Sequence, residues 1–183
     1  MSALPKGITL DQVEIWFQDE TRIGQQGSLS RLWAPKGTRP RAVRQQQFLY
    51  QYIYGAVCPE EKKGAAIIAD CADSEVMSAH LEEIAHHISE GKHGILVMDR
   101  AGWHRSAQLR CPSNITILHL PAYSPELNPQ EDVWRVLKDR FLKNRVYDSL
   151  EEITEAACHA WNTWIENKDE IASTCQRKWA KLY

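Results

Sequence analysis

Four consecutive large apolar residues, Ile95-Leu96-Val97-Met98, run directly into Asp99. A run like this, with no polar alternation, marks a strand buried on both faces. Its sheet therefore needs cover on two sides, and the surrounding sequence offers it. Val13-Glu14-Ile15-Trp16-Phe17 reads as a strand rich in β-branched and aromatic residues, with Asp19 at or just past its C-terminal end. Phe48 to Val57 alternates aromatic and polar residues as a long strand does. Gly64 to Ala69 follows after a short polar turn, so the two should form an antiparallel hairpin. Ile115 to Leu120 is a further strand. Between the first and second strands lies a long connection punctuated by Gly24, Gly27, Pro35, Gly37 and Pro40, with room for a short strand over Leu29 to Trp33.

Helical patterns separate the later strands. Asp73 or Ser74 can cap a helix whose stripe is Met77, Leu81, Ile84 and Ile88. His80, His86 and His87 on that helix do not converge on one ligand set and read as surface residues. Ala101 to Leu109 is a short helical segment or turn. Ser149-Leu150-Glu151-Glu152 is a capping-box sequence that opens a helix burying Leu150, Ile153, Ala157, Trp161 and Trp164. The order predicts an α/β fold: a mixed sheet with helices on both faces.

The 183 residues suit one domain with a full core. Five cysteines, with no CxxC pair, argue against a zinc knuckle or a disulfide framework and fit a reducing cytosol. No apolar run approaches the length that spans a bilayer, and the first dozen residues lack a signal-peptide core. Net charge is only −2, so no general affinity for polyanions follows from composition. The distribution is more telling. From Thr21 through Cys58 there is no Asp or Glu, while Arg22, Arg31, Lys36, Arg39, Arg41 and Arg44 fall in that stretch. Such a segment can supply a local positive field, or be a solvated loop with its counter-charges elsewhere.

The stretch Ser124-Pro125-Glu126-Leu127-Asn128-Pro129-Gln130-Glu131 joins a loop to a helix that runs to about Leu142. Asn128 reads as the N-cap, Pro129 as N1 and Glu131 as N3, and Val133, Trp134, Leu137 and Phe141 form the inward face. Glu131 can close a capping box on the Asn128 N–H, or it can face outward with other acids. Asp19 and Asp99 end strands, and ligands of open α/β sheets bind outside the carboxyl ends of the strands. Three carboxylates brought together repel unless a cation joins them. Hard oxygen donors of this kind suit Mg²⁺ or Mn²⁺. Two such ions, about 3.5–4 Å apart, stabilise the attacking and leaving oxygens of an in-line phosphoryl displacement. Asp19 and Asp99 could instead be turn formers, and Glu20, Asp70 and Asp132 compete for the same roles.

Three motifs in order carry a resemblance: Trp16-Phe17-Gln18-Asp19-Glu20-Thr21-Arg22, Val97-Met98-Asp99-Arg100-Ala101-Gly102-Trp103-His104, and Ser124 to Glu131. Over roughly Val13 to Trp164 the chain resembles the catalytic domain of an IS630-type bacterial insertion-sequence transposase, of the IS630/Tc1/mariner superfamily. The stretch Arg31 to Pro40 resembles the family's segment after the first acid. The resemblance implies an RNase H-like fold with a mixed five-stranded sheet. It implies a DDE metal triad of Asp19, Asp99 and Glu131, with two Mg²⁺ ions and Mn²⁺ as a substitute. Asn128 and Pro129 would be structural at that site. The 32-residue interval between Asp99 and Glu131 is slightly short of the family's usual one. Where many relatives have Asn after the second acid, this chain has Arg100. His104 matches a histidine often found shortly after that acid and is expected to contact DNA or water at the site. Arg22, Arg31, Lys36, Arg39, Arg41 and Arg44 are expected to meet backbone phosphates.

The activity implied is DNA strand cleavage at element ends, then transfer into target DNA at a TA dinucleotide. Family enzymes carry helix-turn-helix modules before this domain. The expectation is that residues 1–183 form a single catalytic domain without one, and find element ends only with an upstream helix-turn-helix product. A homodimer on DNA in the bacterial cytoplasm, at the nucleoid, completes the picture, with no membrane partner. The rivals are a catalytically silent DNA-binding or assembly remnant, and another RNase H-like nuclease.

Overall fold

The computed structural model describes residues 7–27, 33–41, 43–105, 108–122, 124–177 and 179. Five strands form one sheet: β1 (Val13–Gly24), β2 (Tyr50–Cys58), β3 (Lys63–Ala69), β4 (His93–Met98) and β5 (Ile115–His119). Their order is β3-β2-β1-β4-β5. β1 runs antiparallel to β2 and parallel to β4, and β4 runs parallel to β5. The sheet is therefore mixed, as the sequence predicts. Helix α1 (Ser74–His87) covers one face. Helices α2 (Gln130–Leu137), α3 (Leu150–Glu166) and α4 (Lys168–Cys175) pack together on the other.

Side-chain alternation along the central strands builds both cores at once. Trp16, Tyr54, Leu96 and Met98 meet Met77, Leu81 and Ile84 of α1. Phe17, Ile53, Val57 and Val97 meet Val133, Trp134, Trp161 and Trp164. The helices start where their caps dictate. Asp73 Oδ1 accepts the Glu75 and Val76 N–H groups at 2.9 Å, and Ser149 Oγ accepts Glu152 N–H at 3.2 Å.

Several sequence expectations need correction. β1 does not stop near Phe17. Its pairing with β2 continues to Gly24 opposite Tyr50, so Asp19 lies within the strand. The parallel partner β4 stops earlier, with Phe17 opposite Val97, and that is where the edge of the site begins. His80 is not a surface residue. It occupies the 77-80-81-84 stripe of α1 and is fully buried against Tyr54, with ring centroids 5.8 Å apart. Burial pushes it down to about 3, so it is neutral. The α2 pattern is helical only to Leu137 and then widens into a π-turn, Lys138–Leu142. Helix α4 was not anticipated. The short strand expected over Leu29 to Trp33 falls mostly outside the described residues, as does Arg31. Trp33 itself is exposed coil.

At the end of the sheet where β1 begins, Glu14 is buried and accepts hydrogen bonds from Trp16 Nε1 (3.1 Å), Ser89 N–H (3.2 Å) and Lys63 Nζ (3.2 Å). Burial alone would raise its pKa, but the bonds from Ser89, Lys63 and Trp16 outweigh it and hold the carboxyl below its ordinary value. A depressed folded-state pKa contributes stability above the unfolded value of 4.5, and that stability is lost as pH falls through the folded value. Glu14→Gln is expected to cost about 1–3 kcal/mol at pH 7. Urea titrations at pH 7 and in acid check it: the gap between wild type and variant should close below pH 4.5.

Candidate active site

Asp19 and Asp99 each lie two residues beyond the last β1–β4 pair, Phe17 and Val97, so they stand level on neighbouring parallel strands. By alternation, both follow the face of Phe17 and Val97, the α2 side. The two acids are held differently. Asp19 Oδ2 accepts the indole N–H of Trp134 at 2.9 Å. Asp99 Oδ1 accepts both the Ala101 N–H and His104 Nδ1, each at 2.8 Å. One oxygen of each carboxylate is thus fixed by a neighbouring side chain.

Glu131 reaches this place because of how α2 starts. Asn128 Oδ1 accepts the Gln130 N–H at 3.1 Å, the bond of a capping side chain. Its Nδ2 donates to the Gln18 carbonyl at 2.8 Å, in the buried interior. One asparagine therefore ties the helix start to the β1 backbone immediately beside Asp19. Pro129, expected as N1, has helical backbone angles and immediately precedes Gln130. The capping box is not made, because Asn128 N–H donates to the Pro125 carbonyl at 2.8 Å. Glu131 is exposed and close enough for its charge to act on Asp19.

Electrostatics report the crowding. Burial, then the charges of Glu20 and Glu131, push the Asp19 carboxyl up to about 8 despite the Trp134 bond. Asp99 goes the other way: the His104 bond, against burial, holds it below its ordinary value. His104 is disfavoured as a cation by burial, yet its bonds to Asp99 and Glu20 prevail and push it up to about 9. Among the described residues no three His, Cys, Asp or Glu side chains are gathered around one point that could hold an ion. The acids nonetheless fit hard divalent cations. A half-buried carboxylate pushed toward its neutral form by desolvation and two acidic neighbours is the arrangement that a cation relieves. In a two-ion site each ion takes carboxylates in pairs, with water and phosphate completing the rest.

Trp134 was read from the sequence only as part of an apolar stripe. Its i+3 spacing from Glu131 was the available signal that it shares the edge of the site. It reaches Asp19 because β2 has a glycine there. Gly55 is paired with Asp19, and a Cβ on it would lie 2.5 Å from Trp134 Cη2, 2.7 Å from Gln130 Nε2 and 3.0 Å from Trp161 Cζ3. Two indoles cannot give way cheaply, so Gly55→Ala is expected to cost about 1–3 kcal/mol. It should also lift α2 off β1. Thermal unfolding together with loss of the Trp134 indole N–H hydrogen bond, followed by proton NMR, checks this.

The basic segment leaves the same end of β1. Arg22 is exposed, with its guanidinium 5.0 Å from the Tyr50 ring centroid. Lys36, Arg39, Arg41 and Arg44 are exposed, and none is ion-paired among the described residues. The connection is stapled at its base. Gln45 exchanges two hydrogen bonds of 2.7 Å with the Tyr147 backbone, and Gln25 Nε2 donates to the Tyr147 carbonyl at 2.8 Å. His104, expected to contact DNA or water at the site, is buried at 2% exposure and turned to carboxylates, which places it away from DNA. On the far side of α2, Arg177 pairs with Asp132, beside Glu131, which removes Asp132 as a rival for the third acid.

A central strand running parallel to β4 and antiparallel to β2, with acids at the shared end, is an RNase H-like architecture. The same fold is found in the mariner Mos1 paired-end complex with Mg, at 14% identity and a TM-score of 0.66 over 91% of this chain and 52% of that one. The Mos1 transposase paired-end complex with left transposon end gives 13% identity and 0.65, over 88% and 51%. The chain thus spans about half the length of the Mos1 chains it matches. It belongs to the DDE superfamily endonucleases, whose family pattern matches residues 14–154. It is also 42% identical over 132 residues to the uncharacterized protein y4pE/y4sA of Sinorhizobium fredii (strain NBRC 101917 / NGR234), covering 72% of this chain and 98% of that protein. No helix among the described residues is long and apolar enough to cross a membrane.

Proposed function

We propose that this chain is the catalytic domain of an IS630-type insertion-sequence transposase, cutting DNA strands at element ends and joining them to target DNA. The observation that carries the reading is the Asp19 environment. It is a half-buried carboxylate, gripped on one oxygen by Trp134 and crowded by Glu131, level with Asp99 at the carboxyl end of a parallel strand pair. Asp19, Asp99 and Glu131 would together hold two Mg²⁺ ions. Mn²⁺ serves as a substitute. When bound, the ions neutralise charge on the attacking and leaving oxygens of an in-line displacement.

The chain's own residues do the rest. Trp134 and Asn128 fix Asp19 and the start of α2 in one frame, so Glu131 arrives without a loop to order. His104 orients Asp99. Arg22, Lys36, Arg39, Arg41 and Arg44 neutralise backbone phosphates and so set the register of the strand rather than its sequence. On this reading the fold is a catalytic domain working as a homodimer on DNA, at the nucleoid in the bacterial cytoplasm. The test is strand scission in supercoiled plasmid. Nicking that requires Mg²⁺ or Mn²⁺ and stops with EDTA supports the reading, and metal-independent nicking or none with either ion overturns it.

A further inference from the structure

Glu20 is the acid that the site does not use. It follows Asp19 on β1 and points to the opposite face of the sheet, where Gln18 Nε2 lies 3.5 Å from its Oε2. That face is closed. Tyr54, paired with Glu20 across β2, is fully buried, and so is His80 behind it. The Glu20 side chain is only 12% exposed, so it has no easy route to bulk water.

His104 stands between Glu20 and the site. Its Nε2 lies 3.4 Å from Glu20 Oε2, and its Nδ1 lies 2.8 Å from Asp99 Oδ1. One imidazole therefore faces a carboxylate with each ring nitrogen, one on each side of the sheet. Asp99 has need of such a clamp. Its side chain is 55% exposed and follows the last residue of β4, so while Leu120 N–H and the His119 ring hold the Met98 and Asp99 carbonyls, the carboxylate itself depends on side-chain partners. Both of its bonds end on Oδ1, which leaves Oδ2 as the oxygen open to a cation.

We propose that Glu20 is a positioning residue for the second acid: it anchors His104 from the far face of the sheet, and His104 in turn holds Asp99 in the rotamer that takes a divalent ion. This rests on the metal-dependent reading of the site. Glu20 touches neither ion nor DNA and acts only through the ring. Residues of this outer kind typically change metal affinity about 10–100-fold when removed.

The full chain is titrated calorimetrically with Mn²⁺, in wild type, Glu20→Gln, His104→Asn and the double variant. Glu20→Gln, which keeps shape and removes the charge, is expected to weaken Mn²⁺ binding about tenfold. The double variant should be no weaker than His104→Asn alone, because both changes break one chain of contacts. Unchanged affinity in Glu20→Gln overturns the proposal. Losses that multiply in the double variant also overturn it, since Glu20 would then act on the ion directly. A second readout needs no metal. In metal-free crystal structures, Glu20→Ala should show the His104 ring turned away and its 2.8 Å contact with Asp99 Oδ1 broken, while wild type keeps it. Should wild type bind no Mn²⁺, the two-ion reading fails, and the clamp is judged on these structures alone: an unmoved ring in Glu20→Ala refutes it.

Discussion

Asp99→Ala is expected to abolish strand scission, by about 10³-fold or more, while the protein stays folded. The loss reflects several kcal/mol of charge stabilisation at the reacting phosphate, and each 1.36 kcal/mol is about tenfold in rate. The fold should tolerate the change because the Asp99 side chain is half-exposed and lies outside both cores. Asp19→Asn should lose as much activity but behave differently as a fold. Asp19 is half-buried beside two other acids, and an amide removes that repulsion while it can still accept the Trp134 N–H. The metal-free variant is expected to be more stable than wild type by about 1–2 kcal/mol, or roughly 2–8 °C in melting temperature for a chain of this size. Mn²⁺ should then raise the melting temperature of wild type and leave Asp19→Asn unmoved. Scission that survives in either variant, or an Asp19→Asn melting temperature that rises with Mn²⁺, would count against the assignment of the acids.

Replacing Lys36, Arg39, Arg41 and Arg44 together with Ala is expected to flatten the salt dependence of DNA binding. Each phosphate contact contributes a slope of about −0.9 in log affinity against log salt, so four contacts account for about a 150-fold fall between 50 and 200 mM. The variant should lose that part of the dependence and keep only the fall of about 3.5-fold that a remaining Arg22 contact contributes. Fluorescence anisotropy with a labelled duplex measures it. A slope that does not change would remove the segment from DNA contact. The fold should be untouched, because these side chains are exposed and make no ion pair among the described residues.

The sequence revealed Asp99 clearly and the other parts of the site less so, for physical reasons. An uninterrupted apolar run ends on Asp99, so strand, burial and carboxylate could be read together. Asp19 could be seen as an acid near a strand, but not as a residue within one. The extra length of β1 comes from pairing with residues 50–57 of β2, a long-range fact with no local signature. The mixed sheet followed from the alternation of strand and helix patterns. Helix α4 escaped because its eight residues bury only Ile171 and Cys175, too short a stripe to stand out. His80 was judged by its polarity, although its position in the 77-80-81-84 stripe was there to be read. The Glu20–His104–Asp99 chain was invisible, since nothing in a separation of more than 80 residues says that two side chains will share a ring.

The staple at Tyr147 has a consequence for how such a protein can change. Both ends of the connection between β1 and β2 are fastened to one backbone position by Gln25 and Gln45, independently of what lies between. The acids are referenced to β1, β4 and α2, and among the described residues no hydrogen bond ties these elements to residues 33–44. The molecule is thereby divided into a rigid chassis and an interchangeable cartridge. Lineages could lengthen, shorten or recharge the cartridge to suit a new stretch of DNA without retuning the chemistry. A chimaera that takes residues 28–44 from a relative and keeps the two glutamines should leave the chassis as it was.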